Sequence, residues 1–267
     1  PYEIPSNNPE YYPAVAAQAV AARTYAISRM NLRLSEPFHV YGDTRDQVYR
    51  GFTRPSPMAD QAVEKTAGMV LLGPDGRAAV TQYHSTCGGY LEPLLSQSLL
   101  AEGSGLREDV TDGSFNCAVS PLYRWTEKIT AATLLRNLQR IGKIASGEIK
   151  QLAESGYRCR LEILERQPSG RVDKIRIYLN DEYFDFSGWE IRQVLAGAEE
   201  QSLSSRLFFM KDSPGDSSLF YIVGAGYGHG RGMCQWGAVG QAMKGRSWQD
   251  ILHFYYPDLQ LAREHAL

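Results

Sequence analysis

YRCRLEILERQPSGRVDKIRIYL, residues 157–179, is the stretch on which the fold class turns. In RCRLEILE and DKIRIYL, apolar and polar residues alternate, the period of a strand with one face in the core and one toward water. Between them QPSGR carries the Pro and Gly of a tight connection, so the two halves read as an antiparallel pair. Working outward, YRWTEKIT (123–130) reads as a strand and TAATLLRNLQRIG (130–142) as an amphipathic helix. FSGWEIRQVLAG (186–197) is a short helix entered at Ser187, and LFYIVGAGYGHGRGM (219–233) a strand running into a glycine loop. Strand pairs of the hairpin kind interspersed with helices predict an α+β fold rather than a doubly wound parallel sheet.

Toward the N-terminus, AVAAQAVAARTYAISRM (14–30) holds strong helix formers with no Gly or Pro. Its side chains are so small that other backbone must come close, which predicts a buried central helix. MADQAVEKTAG (58–68) is a second helix, stopped at Gly68. MVLL and AAVTQYH read as strands of a hairpin turning at GPDG, and LLAEGSGLREDVTDGSFNCAVSP (99–121) as loop. At the C-terminus CQWGAVGQAMKG (234–245) and SWQDILHFYYP (247–257) are helices, the second opened by a capping pair, Ser247 with Asp250. The expectation is one domain over residues 1–267, with a break into two lobes near 120–130.

Composition excludes several classes. A chain of 267 residues with 22% charged residues and a net charge of -2 gives no electrostatic argument for nucleic acid as a partner. Its longest apolar runs fall short of the ~20 residues of a membrane span. No signal peptide opens the sequence, which begins PYEIPSNNPE as a processed ectodomain would. Four cysteines, Cys87, Cys117, Cys159 and Cys234, form no CxxC pair. They are either disulfides, Cys87 with Cys117 being one pairing, or buried thiols.

Several residues offer chemistry. GAGYGHG (224–230) lacks both the position of a dinucleotide fingerprint and the GK[ST] of a phosphate loop, so nucleotide binding is excluded. His229, flanked by two glycines, is either accessible to a ligand or a loop-holding hydrogen bonder. Cys234 or Cys87 beside a His would be a thiolate nucleophile, but Cys234 opens a small-residue helix, where a buried thiol is expected. His84 and Cys87 could supply two zinc ligands, with a third from Cys117 or His229, an incomplete set. The expectation is therefore no cofactor, with a structural zinc near His84 and Cys87 as the alternative. Glu3, between Tyr2 and Ile4, is by composition an ordinary carboxylate; held against a buried helix it would have the raised pKa of a general acid. Asp43 and Asp46 are turn carboxylates that cap the turn, with a role as second acids the alternative.

Eight pieces, in order, resemble the stage II sporulation protein D/LytB family of bacterial cell-envelope proteins. They are EIP (3–5), AQAVAARTYA (17–26), DTRDQVYRG (43–51), YHSTCGG (83–89), CAVSPLYRW (117–125), SGRV (169–172), FSGWEIRQVL (186–195) and GYGHGRGMCQWGAVGQA (226–242). The resemblance implies a lytic transglycosylase that cuts peptidoglycan between N-acetylmuramic acid and N-acetylglucosamine, leaving a 1,6-anhydro end. It implies that Glu3 is the catalytic acid/base, working in a cleft for a glycan strand outside the cytoplasmic membrane. His84, Ser85, His229 and Gln235 are the candidates to bind the sugar, and Arg23 and Tyr25 to position Glu3 or the substrate, unless they are structural hydrogen bonders. Cys234 stands where the family usually has Ser, which argues against a catalytic thiol. A second expectation, from the LytB branch, is a non-catalytic peptidoglycan-binding protein that stimulates a partner amidase. A cysteine or zinc hydrolase is a third.

Overall fold

The computed structural model describes residues 4–5, 7–30, 35–43, 45–48, 56–93, 107–145, 147–148, 152, 156–197, 201–213 and 216–263. Among them are helices α1 (Tyr12–Arg29), α2 (Pro57–Lys65), α3 (Ala131–Arg140), α4 (Gly188–Val194), α5 (Gln235–Met243) and α6 (Trp248–Tyr255). The strands are β1 (Met69–Leu72), β2 (Tyr83–His84), β3 (Tyr90–Leu91), β4 (Arg107–Glu108), β5 (Val110–Thr111), β6 (Ser114–Phe115) and β7 (Trp125–Thr130). After them come β8 (Cys159–Arg166), β9 (Val172–Leu179), β10 (Glu182–Ser187), β11 (Phe208–Ser213), β12 (Asp216–Gly224), β13 (Met233–Cys234) and β14 (Gln260–Arg263). Small antiparallel sheets interspersed with helices make the fold α+β, as the alternation in 157–179 predicts. No helix among the described residues is long and apolar enough to cross a membrane.

Chain contacts define two units. The first is drawn from Pro1–Thr86, Asp109–Ser120 and Gly230–Leu267. Its axis is α1, whose Ala14, Ala16, Ala17, Val20 and Ala21 are fully buried. A face of alanines lets neighbours approach closely, and α1 packs against α2, α5, α6 and β1. Two threonines tie it to extended chain. Thr24 Oγ1 donates to Val20 O (2.8 Å) and accepts from Leu71 N in β1 (3.1 Å). Thr81 Oγ1 donates to Ala21 O (2.8 Å).

That second bond explains a departure from expectation. The GPDG turn forms, with Gly73 N–H on Arg77 O and Ala79 N–H on Leu71 O. The hairpin then ends at a single bridge, Leu72 to Ala78, because Thr81 draws the chain to α1. The partner of β1 is instead β14, antiparallel, from the far end of the sequence. The 99–121 stretch is likewise more than loop. β5 and β6 form a hairpin around Asp112 and Gly113, whose φ values of 55° and 76° are those an Asp-Gly two-residue turn adopts. A 3-10 turn, Asn116–Val119, follows and packs against α5.

The second unit comprises Cys87–Glu108 and Pro121–His229. Strands β8–β9–β10 form an antiparallel meander and β11–β12–β7 a second antiparallel sheet. The apolar positions of β9 (Val172, Ile175, Ile177, Leu179) meet Leu134, Leu135 and Leu138 of α3, Ile191 and Val194 of α4, and Phe220 and Ile222 of β12. In α3 the side chain of Thr130 caps the N-terminus, accepting from Thr133 N (3.1 Å), and Asn137 Nδ2 donates to the carbonyls of Val194 and Ala196 (both 2.9 Å). At the QPSGR turn Arg171, 1% exposed, donates from Nη1 to Tyr90 O and from Nη2 to Cys87 O, both at 2.9 Å. Its guanidinium also lies 3.9 Å from the buried carboxylate of Glu92, which accepts from Ser169 Oγ.

Candidate functional site

Glu3 lies outside the described residues; its successor Ile4 is buried in the first unit, 1% exposed. Five of the other candidates belong to that unit, on α1, β2 and the β13–α5 junction. The two-residue strands β2 and β13 pair in parallel, Tyr83 with Met233 and Cys234 with His84, so YHST and GMCQW run side by side. Gly232 makes this possible. Its φ is +67°, and a Cβ there would meet the backbone carbonyl of Gln82. Met233 N–H donates to Gln82 O (3.1 Å) and Trp236 N–H to Ser85 O (3.0 Å), which locks the junction.

His84 is 4% exposed, with Nδ1 3.0 Å from Arg231 O. In the neutral ring that contact assigns the proton to Nδ1 and leaves Nε2 the acceptor. Ser85 is half-buried, its Oγ 3.4 Å from Thr86 Oγ1. Gln235, 4% exposed in the first turn of α5, donates from Nε2 to Gln18 Oε1 on α1 (3.2 Å). Its own Oε1 is buried and has no hydrogen-bond partner among the described residues. Cys234 is the N-cap of α5 and fully buried, its Sγ accepting from Gly237 N–H at 3.2 Å. None of the four cysteines is in a disulfide.

Arg23 and Tyr25 make the structural bonds that were their alternative reading. Arg23 Nη1 donates to Thr66 O (2.8 Å) and Met69 O (2.9 Å), satisfying carbonyls where α2 ends. Burial lowers the pKa of this guanidinium. The Tyr25 hydroxyl donates to Asp46 Oδ1 (2.8 Å), and Arg29 lies over the Tyr25 ring at 4.8 Å. Burial, and then the bond to Asp46, raise the Tyr25 pKa. Asp46 also accepts from Tyr41 N–H (2.9 Å), so a carboxylate of DTRDQVYRG fixes that loop on α1. Gln47 Nε2 adds a bond to Ala22 O (2.9 Å).

His229 is the last residue of the second unit, and is exposed. The glycines on either side have φ of +109° and +85°. Sequence reasoning passed over Gln18, which holds Gln235 and was open to notice as a polar residue inside the apolar AQAVAARTYA helix.

Comparison with known proteins gives two family matches. Residues 1–72 match the family described as Stage II sporulation protein, and residues 94–232 the one described as Domain of unknown function (DUF8618). An uncharacterized protein of Brachyspira hyodysenteriae is 29% identical over 91% of this chain and 59% of its own length. The protein named Amidase enhancer of Bacillus subtilis is 28% identical over 93% of this chain and 38% of its own length. The chain thus spans about three-fifths and two-fifths of these relatives.

Proposed function

This chain belongs to the stage II sporulation protein D/LytB family and, over residues 94–232, to that described as Domain of unknown function (DUF8618), and we propose that it is a peptidoglycan lytic transglycosylase acting in the cell envelope with Glu3 as acid/base. The observation that carries this reading is the hydrogen bond from Gln235 to Gln18. It joins the last family motif to the helix that follows Glu3-Ile4-Pro5, within one unit that also buries Ile4 and His84.

In the proposed reaction Glu3 donates its proton to the glycosidic oxygen as the bond to C1 of N-acetylmuramic acid breaks. The C6 hydroxyl of that same sugar attacks C1, and the Glu3 carboxylate takes the hydroxyl proton. A 1,6-anhydro ring forms, the leaving N-acetylglucosamine keeps the first proton, and Glu3 ends protonated as it began. One carboxyl suffices because the nucleophile belongs to the substrate, unlike the paired carboxylates of hydrolytic glycosidases. His84, Ser85, His229 and Gln235 are assigned to the sugar, with the buried Oε1 of Gln235 an acceptor held in place by Gln18. Arg23 and Tyr25 are assigned to positioning Glu3 or the sugar, beside the bonds by which they hold the C-terminal end of α2 and the Asp46 loop.

A second reading is favoured by one observation, the name Amidase enhancer on the Bacillus subtilis relative. There the chain binds glycan strands without cutting them and raises the rate of a cell-wall amidase. Incubating the chain with strands that carry or lack stem peptides separates the two. Fragments ending in 1,6-anhydro sugar, one water lighter than hydrolysis products, support the enzyme. Intact strands that cosediment with the chain, together with a faster amidase, support the enhancer and refute the enzyme.

A further inference from the structure

We infer that Asp109, Cys117 and Cys234, buried together in the first unit, are ligands of a zinc ion. The ligand atoms of this group lie within 4.8 Å of one another, and Asp109, Cys117 and Cys234 are each 0% exposed. A tetrahedral zinc with Zn–S bonds of ~2.3 Å sets its ligand atoms ~3.8 Å apart, so closure asks for movements of about an ångström or less.

Three independent features suit metal ligation. Asp109 Oδ1 is oriented by two donors, Asn116 Nδ2 (3.0 Å) and the Tyr255 hydroxyl (2.8 Å), the outer-sphere support that ligating carboxylates have. The other oxygen lies over Gly237, where any Cβ would collide with Asp109 Oδ2 and the Tyr255 hydroxyl. The Gly237 N–H donates to Cys234 Sγ at 3.2 Å, outer-sphere support of the kind a metal-bound sulfur accepts. A disulfide between Cys117 and Cys234 would not account for a carboxylate in the same place. Thiolates with one carboxylate select zinc over magnesium or calcium. Each thiol loses its proton to solvent on binding, and the ion ties segment 109–120 to the start of α5. The donors differ from a set built on His84 or His229: His84 Nδ1 faces Arg231 O.

The test is metal content of the whole chain, purified under reducing conditions with zinc present in the medium. About one zinc per chain is expected in the wild type and in Cys159→Ser, and near none in Cys117→Ser or Cys234→Ser. Because those two variants also alter buried positions of the core, cobalt exchanged into the wild type is the second measurement. A sulfur-to-cobalt charge-transfer band with tetrahedral visible absorption supports the site. Wild-type protein without zinc, a cobalt spectrum without the sulfur band, or a never-reduced chain two hydrogens lighter than its all-thiol mass would overturn it. None of these readouts depends on glycan cleavage, so the zinc site and the proposed reaction fail separately.

Discussion

Replacing Gly240 by alanine sets two effects of known size against each other. In a helix interior, Gly→Ala gains about 1 kcal/mol of helix propensity. Here, however, α5 lies against the 3-10 turn, and a Cβ on Gly240 would stand 2.8 Å from the carbonyl carbon of Asn116 and closer still to its oxygen. Both obstacles are backbone, so no side chain can rotate away. An ordinary carbon–carbon contact needs about 3.5 Å or more, and overpacking of this kind costs about 1–3 kcal/mol. The clash therefore outweighs the propensity gain, and a net loss of up to about 2 kcal/mol is expected. For a chain of this size that lowers Tm by several degrees, ~2–4 °C per kcal/mol. Thermal and urea unfolding of Gly240→Ala beside the wild type measure it. A Tm equal to or above the wild type would refute the reading of this glycine as a packing residue.

Other outcomes follow from the same reasoning. Arg171→Met leaves two buried carbonyls and the Glu92 carboxylate without their cation, and is expected to cost about 3–5 kcal/mol. Arg171→Met combined with Glu92→Gln should recover part of that in urea titrations; no recovery would mean that the ion pair contributes nothing. Cys159 on β8 has its pKa raised by burial from 9.0 to about 11. With the folded value above the unfolded one, this stability is fully present below pH 9 and is lost as pH rises from 9 to 11. The loss is about 2–3 kcal/mol at ~1.4 kcal/mol per pH unit, and Cys159→Ala should flatten that part of the stability curve. An unchanged slope would remove Cys159 as its cause.

Much of this architecture is legible in local pattern. The alternation in 157–179 gives β8 and β9, the alanine run gives α1, and Ser247 with Asp250 forms a capping box in which each side chain bonds the other's backbone N–H. Long-range choices are not legible. Nothing in MVLL says that its partner is QLAR, with Met69 paired to Arg263 and Leu72 to Gln260, rather than the AAVTQYH next door; the Thr81 bond to Ala21 decides it. The Asp-Gly turn at 112–113 was a local signal, obscured by the polar residues around it. Arg171 reads as the exposed end of a turn, and only the fold brings Tyr90, Cys87 and Glu92 to it. Of the candidate site, the sequence motifs lead to the α1–β2–β13 arrangement. The bonds that hold Arg23 and Tyr25 come from residues no spacing rule connects with them.

The central claim is that the substrate's own hydroxyl, assisted by Glu3, cuts the glycan. Its most direct test is digestion of glycan strands in water enriched in heavy oxygen, with mass analysis of the new ends. The account predicts 1,6-anhydro ends that carry no label, formed by the wild type and not by Glu3→Gln. Labelled reducing ends, or anhydro ends formed equally well by Glu3→Gln, would contradict it.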